Sequence, residues 1–138
     1  MAKLTKKRVI VSVIGLVVVA ALFFGSRLVS GFIQYQRIIS EIEIRTPNLL
    51  QIQDGTYNGF FDAIQVSADV DVTVENHRIT KIVINNHHMG RNSAVAAEAV
   101  IIDVVDSQSL EVDAVSGATN SSNVILKAVQ IALESGQN

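Results

Sequence analysis

The most constraining feature of this sequence is a long apolar run near its start. From Val9 to Gly25 there are 17 consecutive residues without a charge. As a helix this run would span about 26 Å, slightly less than the ~30 Å hydrocarbon core of a bilayer. The residues after Arg27 stay partly apolar. The sequence therefore predicts one transmembrane helix over residues 9–32, with Arg27 reaching toward the far interface.

A cleaved signal peptide and a buried helix of a soluble domain are the alternatives. The end of the run reads Phe-Phe-Gly-Ser-Arg, which fits an Ala-x-Ala-like cleavage pattern poorly. A soluble domain of about 100 residues does not need so long an apolar element. We therefore expect a retained membrane anchor.

The charges around the run predict its orientation. Four basic residues precede it, all within residues 1–8: Lys3, Lys6, Lys7 and Arg8. Only Arg27 and Arg37 follow closely. Because basic residues stay on the cytoplasmic side, we expect a single-pass cell-membrane protein with a cytoplasmic N-terminus and an extracytoplasmic remainder.

Composition excludes several classes of protein. The chain has no cysteine, which excludes disulfides, thiolate metal centres and cysteine nucleophiles. Its net charge of −2 gives no basic field for nucleic acid. With three histidines, we expect no structural metal site.

The rest of the chain divides into a connector and a domain. Residues 33–49 are predicted to be a stalk or linker, helical at first and stopped by Thr46-Pro47-Asn48. The folded domain is predicted over residues 50–138. We expect an α+β fold, a small antiparallel β-sheet packed with two helices, preceded by the single N-terminal transmembrane helix.

Hydrophobic periodicity carries that fold prediction. The positions that alternate with polar residues are Ile64, Val66, Ala68, Val70, Val72 and Val74. This period of two predicts a strand with one wet face, and the turn at residues 75–78 leads into a returning strand. Helices are predicted over Arg91–Val105 and from a cap at Asn120 or Ser121 to about Glu134.

The segment Ser116–Ser122 is suited to chemistry with an anion. Small residues precede Thr119, and a helix is predicted to begin just after it. The first N–H groups of a helix and its dipole favour a phosphate near such a hydroxyl. A cluster of Ser, Thr and Asn before a helix is also typical of a simple cap, and the residues alone leave both interpretations open.

A family resemblance favours the interpretation of this segment as a phosphate site. Residues 113–119, Asp-Ala-Val-Ser-Gly-Ala-Thr, followed by Ser121, resemble the attachment motif of the FMN-binding domain family. That family includes flavin-bearing subunits of the sodium-pumping NADH:quinone reductase and of the Rnf electron-transport complex. Residues 54–59, 72–82 and 123–129 resemble other parts of the family's domain, so the resemblance covers roughly residues 50–134.

The resemblance implies a phosphoester bond between Thr119 and FMN. A flavin transferase, with FAD as donor and Mg²⁺, is expected to form this bond after reading the motif. The motif residues implied besides Thr119 are Asp113, Ser116, Gly117, Ala118, Ser121 and Ser122. The domain lacks the long insertions expected in the pump subunits, which favours a stand-alone bacterial carrier.

Other candidate residues have competing interpretations. His87 and His88 follow a predicted strand, and they are interpreted as flavin contacts, as metal ligands or as exposed loop residues. Tyr57 is a candidate wall of the flavin pocket, although core packing explains it equally. Asp69 and Asp71 suggest either a cation site or a solvated sheet face.

The predicted function is electron transfer by covalent FMN outside the membrane. The expected partners are the transferase, a membrane quinone or NADH oxidoreductase or other redox carriers, and membrane lipid, without nucleic acid. One alternative is a flavin-dependent reductase acting on its own acceptor. Another is a non-redox assembly or sensing module in which Thr119 is only a helix cap.

Overall fold

A computed structural model describes residues 6–88 and 94–137. The chain divides into two compact units at the bond between Gln36 and Arg37. The described residues of the first unit, 6–36, are helical, and the second unit contains the sheet and the remaining helices.

Helix α1 runs without interruption from Lys6 to Ser40. At about 52 Å it is longer than the ~30 Å core of a bilayer. The large apolar side chains from Val9 to Ile33 are exposed, for example Leu16 at 74%. The guanidinium of Arg27 lies 5.7 Å from the centre of the Phe23 ring. The helix is long and apolar enough to cross a membrane, and it continues past the predicted end of the span at residue 32.

The connector after α1 makes hydrogen bonds with the rest of the second unit. The backbone N–H of Arg45 donates to Gln130 Oε1 at 3.1 Å. The hydroxyl of Thr46 accepts from the backbone N–H of Leu110 at 2.9 Å. A single 3₁₀ turn at Leu49–Gln51 follows, and Asn48 caps it. Residues 42–48 therefore lie against the domain without regular structure, and the helical part of the predicted stalk ends with α1 at Ser40, before Thr46-Pro47-Asn48.

Three antiparallel strands form the sheet in the order β1-β2-β3: β1 is Gly55–Asp62, β2 is Ser67–Glu75 and β3 is Arg78–His88. The turn between β2 and β3 consists of Asn76 and His77, with φ values of 51° and 60°. Two positive φ values are what a tight two-residue hairpin requires. The predicted hairpin is confirmed.

The alternation in β2 is also confirmed. Ala68, Val70, Val72 and Val74 are fully buried, and the residues between them face outward. Ile64 departs from the prediction: it lies in the β1–β2 turn, with φ 71° and 49% exposure. Its N–H donates to the Asp62 carboxylate at 2.7 Å, so the connection between β1 and β2 takes up the first three residues of the predicted strand, 64–66.

The helices of the second unit are α2 (Ala94–Glu98), α3 (Val100–Ser107) and α4 (Thr119–Ser135). The middle helix predicted over Arg91–Val105 is thus two short helices that meet at Ala99, and residues 91–93 lie outside the described residues. The α+β fold class is confirmed, with helices packed on an antiparallel sheet.

Close approach of α4 to the sheet fixes the centre of the core. A Cβ atom at Gly59 would lie 2.0 Å from the Ala128 carbonyl oxygen and 2.9 Å from the Ala132 Cβ. The absent side chain therefore lets the backbone of β1 touch the backbone of α4. The core includes Val70, Val72, Val74, Ile79, Val104, Leu110, Val124, Ile125, Val129 and Leu133.

Gln108 covers part of the free edge of β3. This residue ends α3 in the left-handed conformation, with φ 57°. Its side-chain amide accepts from the N–H of Ile79 at 2.8 Å and donates to the Ile79 carbonyl at 2.9 Å. The amide takes the place of a neighbouring strand at that residue.

Candidate functional site

The SGAT loop, residues 116–119, connects an irregular segment to α4. Gly117 has φ 79°, a conformation that glycine adopts without strain. The N–H of Ala118 donates to the Val115 carbonyl at 2.9 Å, which closes a tight turn. Ala118 is buried at 5% exposure, whereas Ser116, Gly117 and Thr119 are exposed. The turn therefore points the Thr119 side chain into solvent.

Ser122 holds this loop against the first turn of α4. Its side chain is fully buried. The Oγ atom accepts from the N–H of Val115 at 3.1 Å and donates to the Ala118 carbonyl at 3.0 Å. Ser121 is also fully buried. Both hydroxyls are turned into the domain, so Ser122 positions the loop from inside.

The predicted cap of α4 is wrong. The helix begins at Thr119, and the residue in the cap position is Ala118, with φ −135° and no side-chain cap bond. Asn120 and Ser121 lie inside the first turn. The hydroxyl of Ser122 bonds the loop before the helix instead of a cap position. Thr119 is thus the first residue of a helix of 17 residues, beside its positive end.

The contacts of α4 place Thr119 at one end of the sheet. The helix runs antiparallel to β1, since Ala128 and Ala132 cross Gly59 and the later residue Gly136 meets Tyr57. Going back along α4 to Thr119 therefore leads toward the end of β1 at Asp62. The end of β1, the start of β2 and the end of β3 share that edge.

Both histidines lie at the same end as Thr119. His87 pairs with Ala68, and His88 pairs with Ser67. Helix α2 packs on both β3 and α4, which joins the histidine strand to the SGAT loop side of the domain. The fold thus gathers the motif and the histidines at one end, as a shared cofactor site requires.

Tyr57 is not part of this group. A Cβ atom at Gly136 would lie 2.7 Å from Tyr57 Cζ, so the ring sits against the far end of α4. The helix is about 26 Å long, which separates Tyr57 from Thr119. The Tyr57 hydroxyl donates to the Gln53 carbonyl at 2.8 Å. The structure therefore shows Tyr57 in packing contact with the end of α4 opposite Thr119.

The two histidines have opposite environments. The His87 side chain is 2% exposed, and its Nδ1 lies 3.4 Å from Oε1 of Glu98. Its Nε2 is buried and has no hydrogen-bond partner in the part of the chain that the structure describes. His88 is exposed. Sequence reasoning missed Glu98, because no motif links it to a histidine eleven residues earlier.

Asp113 lies in an acidic groove of about 420 Å³. The groove is lined by Asp103, Asp106, Ser107, Glu111, Val112 and Asp113. The negatively charged carboxylates that line this groove repel a phosphate group, so the groove is not expected to bind the phosphate. Residues 6–88 and 94–137 contain no group of three or more His, Asp or Glu side chains arranged to hold a metal ion.

The carboxylates of β2 form a hydrogen-bonded surface cluster. The Asn58 side-chain amide donates to Asp69 at 2.7 Å and to Asp71 at 2.9 Å. Hydrogen bonds from Asn58 and Asn85 lower the pKa of the Asp71 carboxyl below its usual 3.8. The solvated-face interpretation fits this arrangement.

The site is therefore an exposed threonine at a helix N-terminus, on a small α+β domain with a buried histidine at the same end. The model of the FMN-binding domain family matches residues 56–134, more than half of the chain. This protein belongs to the FMN-binding domain family. A comparison with curated proteins finds no match.

The residues at this end fit an FMN group. The exposed Thr119 hydroxyl stands beside the positive end of α4, which favours the cofactor's phosphate. Gly117 and Ala118 leave little side chain around it, so that a bulky group can approach the loop. When bound, FMN supplies the redox chemistry, and the protein sets its position and surroundings.

Proposed function

We propose that this protein is a membrane-anchored electron carrier whose FMN is joined to Thr119 by a phosphoester bond. The observation that carries the proposal is the exposed Thr119 hydroxyl at the first residue of α4, in a chain of the FMN-binding domain family. A helix cap alone would not need this exposure, and Thr119 occupies a helical position rather than the cap.

The proposed attachment is a balanced group transfer. The pyrophosphate bond of FAD breaks, the Thr119 oxygen bonds to the phosphorus of the FMN half, AMP leaves, and the hydroxyl proton passes to the AMP phosphate or to solvent. A flavin transferase with Mg²⁺ would catalyse this step. Asp113, Ser116 and Gly117 are exposed in the folded domain and are therefore accessible to such an enzyme.

Electron transfer is the function that best suits a permanent flavin on this domain. A micromolar site is worth only about 8 kcal/mol, and it would lose its cofactor into a large dilute volume outside the membrane. We place the domain there because four basic residues precede the apolar run that begins at Val9. The proposed donor is a membrane quinone or NADH oxidoreductase, and the acceptor is a further carrier.

The attachment is tested by co-expressing the full chain with a flavin transferase. The denatured protein band should fluoresce for the wild type and for Thr119→Ser, which keeps the hydroxyl. Thr119→Val should lose at least about 95% of that fluorescence, since no acceptor oxygen remains. Thr80→Val, which alters another exposed threonine, is the matched control and should keep it.

Two results would overturn the assignment of Thr119. One is a wild-type band without flavin, and the other is a fluorescent Thr119→Val band. A flavinylated protein that turns over rapidly with one defined small-molecule acceptor would instead support the reductase alternative.

A further inference from the structure

His87 has an unusual pair of environments for its two ring nitrogens. Nδ1 faces the Glu98 carboxylate at 3.4 Å, and Nε2 is buried without a partner among the described residues. A buried polar atom that lacks a hydrogen bond typically costs about 1–3 kcal/mol. Such an atom in a native domain calls for a specific explanation, and a bound group is one.

The hydrogen-bond partner of Nδ1 determines whether Nε2 of His87 is a hydrogen-bond donor or an acceptor. Glu98 is 39% exposed and offers an acceptor oxygen, so it favours the tautomer with the proton on Nδ1. In neutral imidazole the other nitrogen is then a hydrogen-bond acceptor. The two ring nitrogens point in widely different directions, so Nε2 faces away from Glu98. His87 therefore presents a buried acceptor at the end of the domain where Thr119 lies.

We infer that His87 Nε2 accepts a hydrogen bond from an N–H group that the FMN ring gains on reduction, with Glu98 holding the imidazole in orientation. This inference rests on the proposed function, because it needs flavin at Thr119. A ring edge bound against the domain supplies the missing donor.

In this position His87 would affect the midpoint potential of the flavin. Reduction of a flavin adds N–H bonds to the ring, so an acceptor placed beside it favours the reduced form. Glu98 does not touch the ring in this arrangement and acts as a positioning residue. Removal of either member of the pair should therefore lower the midpoint potential.

The test uses the full chain, flavinylated by co-expression and purified in detergent. His87→Asn places its amide near the position of Nδ1 and leaves the position of Nε2 empty. It should make the reduced form about tenfold less favoured, a shift of about 30 mV for a two-electron couple. His87→Gln reaches the position of Nε2 and should restore most of the wild-type potential. Glu98→Ala should shift the potential in the same direction as His87→Asn.

His77→Asn is the matched control. This histidine is exposed in the turn between β2 and β3, at the end of the sheet away from Thr119, and asparagine tolerates its positive φ. The potential and visible absorption of this variant should equal those of the wild type. If His87→Asn does not fold, as judged by thermal unfolding, the comparison of Glu98→Ala with His87→Gln decides the question.

The outcomes separate this inference from the proposed function. Attached flavin with an unchanged potential in both His87→Asn and Glu98→Ala overturns the inference alone. So does a shift in His77→Asn that equals the shift in His87→Asn. A wild-type band without flavin overturns the proposed function and the inference together.

Discussion

At the scale of single residues, the hydroxyl of Ser122 accounts for the shape of the SGAT loop. It bonds Val115 before the loop and Ala118 within it, while the side chain is fully buried. A serine in a Ser/Thr cluster before a helix usually serves as a cap or faces solvent. Here one hydroxyl fixes the segment that presents Thr119.

We predict that Ser122→Ala weakens both the domain and flavin attachment. The Val115 N–H loses its partner, which should lower the free energy of unfolding by about 1–2 kcal/mol. Ser135→Ala is the control, since Ser135 makes a comparable bond to Ala132 at the other end of α4. It should change that free energy by less than about 0.5 kcal/mol. Urea unfolding and the initial rate of flavinylation measure the two effects, and an equal rate in both variants would contradict the positioning role.

A second prediction at this scale concerns Asp71. Its pKa lies below 3.8 because Asn58 and Asn85 donate hydrogen bonds to the charged form. A carboxyl with a lowered pKa stabilises the fold above its usual pKa, and this contribution is lost as the pH falls through the lowered value. NMR titration should show Asn58→Ala moving the Asp71 midpoint upward, whereas Thr56→Val, on the same sheet face, should leave it in place.

At the scale of elements, the contact between β1 and α4 is the least tolerant of change. We predict that Gly59→Ala lowers the free energy of unfolding by about 1–3 kcal/mol, because the new methyl group meets the backbone of α4. Gly55→Ala is the control in the same strand. Its methyl group would meet only the far end of the Tyr57 side chain, at 3.3 Å. The midpoint temperature of thermal unfolding should be clearly lower for Gly59→Ala than for Gly55→Ala. Equal midpoints would contradict the prediction and show that α4 moves to accommodate the new methyl group.

The elements also show how far sequence patterns reach. The hairpin followed from period-two alternation around Asn76-His77, because burial of one face imposes that pattern. The start of α4 was misplaced, since the side chain of Ser122 bonds a residue seven positions earlier and no local pattern indicates this. The pairing of His87 with Glu98 could not be predicted either, because it depends on how α2 packs against β3.

The candidate site was only partly predictable for the same reason. The motif located Thr119 directly, whereas Tyr57 was a candidate pocket residue until its contact with Gly136 placed it at the far end of α4. A sequence shows which residue types are present, but the direction of a helix over a sheet decides which of them meet.

At the scale of the whole molecule, the absence of cysteine permits a direct test of orientation. We predict that Glu75→Cys, an exposed position in the domain, reacts with a membrane-impermeant thiol reagent in intact cells. Thr5→Cys, before α1, should react only after the membrane is permeabilised. The reverse pattern, or a mature protein that has lost α1, would contradict the proposed topology.

The exposure of Thr119 also bears on the order of events in maturation. Ser122 and Ala118 are buried in the finished domain, whereas the acceptor hydroxyl is accessible. Under the proposed attachment, the SGAT loop takes its shape from contacts within the chain and leaves the Thr119 hydroxyl open to the transferase. The supply of FAD and transferase would then determine how much of the folded domain becomes a working carrier.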